Sequence, residues 1–142
     1  MDLNIDCVRY VMLYLEDHLQ FSDEGVAARK CMDWKQVYTD EELTKKYTFD
    51  VIQYTLLKIR EAKLIDVPYG EMYFKELPRS NKIVNFKIKD ITVEGHNFID
   101  NFQNNKVWDN IKSVGKLGLK TIIEVAGKKA VELAAIAMVT PK

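Results

Sequence analysis

The chain has 142 residues, 47% of them apolar and 30% charged, proportions ordinary for a globular fold large enough to bury a core without a metal or a disulfide. Lys and Arg number 21, and so do Asp and Glu; this excludes a chain coated in positive charge for nucleic acid and leaves room only for a local patch. The same composition excludes a disordered tail, a collagen-like fibre and a disulfide-stapled miniprotein.

Six glycines and three prolines favour long regular elements over loops. The first six residues carry Asp2 and Asp6 and no basic region, so a secretory signal is not expected. No run of about 18 uncharged apolar residues exists, so no transmembrane helix is expected. Cys7 and Cys31 lack C-x-x-C spacing and read as reduced, partly buried thiols. A cytoplasmic location is the resulting expectation.

Residues 2–19 read as a helix. Leu3, Cys7, Tyr10, Val11, Tyr14 and His18 recur at steps of three or four, and Val8, Met12, Leu15 and Leu19 form a second row. Asp2, Asp6, Arg9, Glu16 and Gln20 make the narrow polar strip. Residues 20–38 hold a turn at 22–25, and Lys35–Tyr38 reads as a short strand. Thr39 and Glu42 can form a capping box for a short helix ending near Tyr47. Thr48 or Asp50 then caps a helix reaching about Lys63, with Phe49, Ile52, Leu56 and Ile59 inward. Two helices with almost no linker imply a sharp turn between them, as in a helix-turn-helix.

The period then changes. Met72–Leu77 and Lys82–Lys89 are strand-like, joined by a hairpin tip at 78–81. Thr92 caps another helix, with Phe98, Ile99 and Phe102 as its apolar side. Val107 and Trp108 begin a further helical stretch that breaks near Gly115 or Gly118. A last helix runs from about Leu119 to Val139. This order predicts a mostly α protein with a small β-hairpin, of the α+β class: a winged helix-turn-helix domain over 1–105 with a helical C-terminal extension over 106–142.

Two stretches carry a resemblance. Residues 50–65, which include Glu61-Ala62-Lys63-Leu64-Ile65, are similar to the recognition-helix region of many winged helices, which ends in L-x-E-A-G-L-I; Lys63 stands where Gly is usual. Residues 91–100, with Thr92, Glu94, Gly95, His96, Phe98 and Asp100, followed by Val107-Trp108, resemble a small family of uncharacterised bacterial and prophage proteins catalogued as a domain of unknown function. That family also shares the Met-Asp-Leu start and a hydrophobic C-terminal helix, and the match touches about two thirds of the chain. The resemblance implies a winged-helix core and a phage context; it implies no catalytic residue and no ligand.

The three serines, Ser22, Ser80 and Ser113, lie in no G-x-S-x-G elbow. His18 and His96 are far apart, and no H-E-x-x-H, Cys/His cluster, G-x-G-x-x-G or Walker loop exists. Carboxylates gather at helix starts, where capping explains them. Neither catalysis nor a metal nor a cofactor is expected. His96, one helical turn before Asp100, is read as a side chain near a helix start rather than as a switch.

Double-stranded DNA is the expected partner. Between Tyr69 and Lys89 five basic residues face two acidic ones. In that stretch Arg79, Lys82, Lys87 and Lys89 are candidates for phosphate contact. On the helix before it, Gln53, Tyr54 and Lys58 are candidates to reach base edges or phosphate. Against this, the first 50 residues hold 6 basic and 11 acidic side chains, and no Arg is expected outward on that helix.

In the last helix Leu119, Ile123, Ala126, Ala130, Leu133 and Ala137 form a long stripe. Such a face is covered by its own domain, by a partner or by a lipid surface. We assign it to a homo-oligomer, a dimer, interface. The sequence thus predicts a non-enzymatic, transcription-regulator-like DNA-binding protein. The alternative is a protein–protein interaction module, a phage-encoded adaptor or dimerisation protein that binds no DNA.

Overall fold

The first helix, α1 (Ile5–His18), starts where the Asn4 side chain accepts the Cys7 amide at 3.1 Å. Its two apolar rows place Cys7, Val8, Val11, Met12 and Leu15 in the core. The computed structural model describes residues 2–19, 31–80, 82–113 and 118–124.

The chain resumes in β1 (Met32–Asp33) and passes directly into α2 (Trp34–Tyr38). Lys35–Tyr38 is therefore helical, not a strand. The Asp33 carboxylate accepts the Lys35 amide at 2.9 Å and nucleates the turn, and Trp34 and Val37, three apart, are both buried. Helix α3 (Glu41–Lys46) is capped by Asp40, whose carboxylate accepts the Glu42 and Leu43 amides. Asp40 takes the position expected for Thr39, whose hydroxyl instead donates to the Lys35 carbonyl.

Only Tyr47 and Thr48, both extended, separate α3 from α4 (Phe49–Glu61). Thr48 caps α4 through the Val51 amide at 3.4 Å. Ile52, Leu56 and Ile59 are fully buried and form the face that packs on α1 and α2; each such burial stabilises the fold by roughly 1.5–3 kcal/mol. Phe49, expected inward, is 54% exposed; its ring lies tilted against that of Tyr38, with ring centres 5.9 Å apart.

Helix α4 ends in a Schellman motif. The Leu64 amide bonds the Ile59 carbonyl at 3.1 Å and the Lys63 amide bonds the Arg60 carbonyl at 3.0 Å. Lys63 occupies the left-handed position with φ 61°, the conformation that glycine adopts without steric cost. The chain continues through β2 (Ile65–Asp66), β3 (Phe74–Leu77), β4 (Lys82–Ile88) and β5 (Asp90–Ile91). Strands β3 and β4 form an antiparallel hairpin, and β1 pairs on the other edge of β4, giving the order β1-β4-β3. Strands β2 and β5 pair separately.

Helix α5 (Val93–Phe102) is capped by Thr92 through the Gly95 amide at 3.1 Å. The same hydroxyl donates to the Lys63 carbonyl at 2.6 Å, and the Thr92 amide bonds the Leu64 carbonyl. A Cβ on Gly95 would overlap the Leu64 carbonyl oxygen and lie 2.6 Å from the Ile91 methyl. The two stretches that carry the sequence resemblance therefore meet in one junction, and their Thr and Gly are there for capping and close approach.

Helix α6 (Asn105–Ser113) follows after a turn capped by Asn104, whose side chain accepts the Lys106 and Val107 amides. Val107, Trp108 and Ile111, together with Leu119 and Ile122, join the same core as α1 and α4. Residues 119–124 are helical; the rest of the expected terminal helix lies outside the described residues.

Arg9 belongs to this core, not to the polar strip of α1. It is 9% exposed. Its guanidinium donates to the Phe102 and Gln103 carbonyls at 2.7 and 2.9 Å and to the Asn105 side chain at 2.6 Å. One side chain on α1 thus satisfies carbonyls left open at the end of α5. Asp6, one turn earlier, accepts the Trp108 indole N–H at 2.7 Å and pairs with Lys112 at 3.0 Å.

Candidate nucleic-acid interface

Three groups of exposed or half-buried side chains correspond to the candidates named from sequence. The first lies on the face of α4 that turns away from α1. Gln53, Tyr54 and Lys58 are half-buried there, with Asp50 and Glu61 exposed beside them. The Lys58 ammonium pairs with the Glu61 carboxylate at 3.0 Å and sits 5.4 Å from the Tyr54 ring centre. The Glu61 hydrogen bond and charge raise the Lys58 pKa above its ordinary value. Lys58 stays charged, but its charge is shared with a neighbour, which weakens its pull on phosphate.

The second group is at the hairpin tip. Arg79 lies in the turn and Lys82 opens β4, opposite Leu77; both are exposed. Lys75, exposed and opposite Asn85, adds a further cation. The third group is at the base of the sheet. Lys87 is half-buried and pairs in register with Asp33 of β1, while the Lys89 amide bonds the Asp66 carbonyl at 2.8 Å. Arg79 and Lys82 therefore stand at the far end of β4 from Lys87 and Lys89.

Arg60 is the residue that sequence reading missed. It is exposed on α4, and its guanidinium lies 4.1 Å from the ring centre of Phe74 on β3. Phe74 meets Phe86 at 5.6 Å, and Phe86 stacks on Trp34 at 5.7 Å. This aromatic file joins α4 to the hairpin and carries a cation at its outer end. The signal was the i, i+7 relation of Gln53 to Arg60, which a helix ending at Glu61 keeps near one side.

Other candidates are placed as follows. His96 and Asp100 are both exposed on α5. Cys7 is buried, and burial pushes its thiol pKa up despite the Thr55 hydroxyl beside it. Leu119 is buried in the chain's own core and Ile123 is partly buried against it; Ala126, Ala130, Leu133 and Ala137 lie outside the described residues. Among the described residues no group of His, Cys, Asp and Glu is arranged to hold a metal ion, and no helix is long and apolar enough to cross a membrane.

A family model described as "Hypothetical protein (DUF2513)" matches residues 2–119. The chain belongs to this family. The match runs from α1 through α6, so the DUF2513 unit contains both motif stretches, the hairpin and the Arg9 contacts. The match bears out the expectation of an uncharacterised family of unknown function. No curated protein and no solved structure matches the chain.

Proposed function

We propose that this protein is a winged-helix, transcription-regulator-like DNA-binding protein without enzymatic activity. In this reading α3 and α4 form the helix-turn-helix and the β3–β4 hairpin is the wing. The observation that carries it is the hairpin. It supplies two strands of the three-stranded β1-β4-β3 sheet, it follows a helix pair joined by a two-residue turn, and its exposed surface is basic. Lys75, Arg79, Lys82 and Lys87 stand against Glu76 alone between Phe74 and Ile88. Gln53 and Tyr54 on α4 supply groups that can reach base edges, and Arg60 extends the cationic surface from the wing toward α4.

The α4 face itself holds Asp50 and Glu61, so the wing carries most of the phosphate attraction. The test is the double charge reversal Arg79→Glu/Lys82→Glu, titrated against labelled duplex DNA by fluorescence anisotropy. Both side chains are exposed, so the fold tolerates the change. Affinity falls by at least about tenfold and the slope of log K against log salt drops by about 2. Unchanged affinity refutes the role of the wing. Lys87 is a poorer choice, because Glu there would face Asp33 across the sheet.

The second reading, a protein-interaction module, is favoured by Tyr69 and Met72. These residues, in the loop leading into β3, are 100% and 67% exposed. In that reading Arg79→Glu/Lys82→Glu leaves function intact and Tyr69→Ala/Met72→Ala abolishes it.

A further inference from the structure

Arg9 also lines a cleft between the start of α1, the end of α3 and the start of α6. Its volume is about 570 Å³, within the range of small-ligand sites. The guanidinium spends Nε and Nη2 on the Phe102 and Gln103 carbonyls and on the Asn105 side chain. Nη1 makes no hydrogen bond to the described residues. No buried side-chain nitrogen among those residues lacks a partner, so Nη1 is not sealed in the core; it opens on the cleft. All three acceptors of the guanidinium are neutral. A nearly buried cation held only by neutral groups is costly unless an anion comes to it.

Other donors line the same cleft. Asn105 gives its Oδ1 to Arg9, which leaves the amide Nδ2 as a donor. The Lys46 ammonium sits 3.8 Å from the Tyr10 ring centre and pairs with no carboxylate among the described residues. Burial pushes the Tyr47 pKa up to about 12, so its hydroxyl keeps its proton to donate. Two carboxylates, Asp6 and Asp109, also line the cleft. Both pair with Lys112, at 3.0 and 4.0 Å, and Asp6 also accepts the Trp108 indole N–H. These acids are spent on Lys112 and Trp108, and Arg9 and Lys46 keep their charge for a ligand.

Donors from α1, α3 and α6, two of them cationic, suit a group with several oxygens and nearly two negative charges. A phosphate monoester is such a group; a carboxylate offers two oxygens and one charge. The volume leaves room for an organic part as well. We propose that this cleft binds a small phosphorylated molecule, with Arg9, Lys46, Asn105 and Tyr47 holding the phosphate.

The test uses the full chain without DNA, at about pH 8, where the phosphate is a dianion. Calorimetric titrations with inorganic phosphate, glycerol 3-phosphate and glycerate are made at equal ionic strength. Saturable binding of both phosphates is expected, with glycerol 3-phosphate at least about tenfold tighter than glycerate. The decisive variant is Asn105→Asp. It keeps an acceptor for Arg9 and places an acid in the first turn of α6, which favours that helix, but it replaces the Nδ2 donor with an anionic oxygen. It is expected to be as stable as wild type in urea and to bind phosphate at least about tenfold more weakly. Lys46→Gln, altered at an exposed position, is expected to weaken binding in the same way. No saturable binding of either phosphate up to about 10 mM overturns the proposal. Glycerate binding as tight as glycerol 3-phosphate overturns the choice of phosphate, and variants that bind phosphate as the wild type does overturn the site. The hairpin takes no part in these titrations, so failure here leaves the DNA-binding reading in place.

Discussion

Lys63 shows how far a single residue can be read. Its place in Glu61-Ala62-Lys63-Leu64-Ile65 marked it as standing where Gly is usual, and its backbone has the φ of 61° that such a position requires. A left-handed non-glycine residue costs roughly 1–2 kcal/mol. Lys63→Gly relieves that strain and gives back part of it as unfolded-chain entropy. The expected result is a gain of about 0.5–1 kcal/mol in urea denaturation. Gly95 predicts the opposite. Its missing Cβ makes room for the Leu64 carbonyl, which is backbone and cannot swing aside. Gly95→Ala is expected to cost at least about 1–3 kcal/mol, the penalty of overpacking, read in the same assay. The identity of this Gly was visible in the sequence; the reason was not, because its neighbour is 31 residues away in the chain.

At the scale of elements, periodicity recovered α1, α4, the hairpin and α5, since each buries a regular face. It failed where a side chain broke the polar rule. Arg9 looked like surface because it is charged, yet its guanidinium closes the end of α5 and reaches Asn105 of α6. Only a long-range fold can show that three acceptors wait there. Lys35–Tyr38 reads as a strand because the five residues of α2, Trp34–Tyr38, are too few to display a helical period.

Asp6 makes the α1–α6 contact pH-sensitive. Burial opposes its ionisation, but the Trp108 indole, the Lys112 ammonium and the Arg9 charge together hold its pKa below the ordinary 3.8. A depressed carboxylate stabilises the fold above its unfolded pKa, and that contribution is lost as pH falls through the folded value. Stability should therefore drop below about pH 4 in the wild type. Asp6→Asn is expected to be less stable at neutral pH and to show a shallower acid loss, followed by Trp fluorescence during denaturation at each pH. Parallel acid curves for the two proteins would remove Asp6 from the account.

Across the whole molecule, charge is unevenly placed. The acidic excess of the first 50 positions offsets the basic hairpin and the basic C-terminal stretch in the total, so composition alone conceals the patch, and local counting along the sequence recovers it. The α+β class was legible for the same reason: the change from helical to alternating period near residue 65 survives in three dimensions. Arg60 was not, because the face to which it belongs is defined by Phe74 on another element.

Phosphate contacts from the β3–β4 hairpin and α4 to duplex DNA, as proposed above, would make binding weaken steeply with salt. Anisotropy titrations of wild-type protein against mixed-sequence duplex, repeated from low to physiological salt, give the slope. Four or five cations at the wing and Arg60 predict a slope of about −4. No binding at low salt, or a slope near zero, would refute DNA binding through these phosphate contacts.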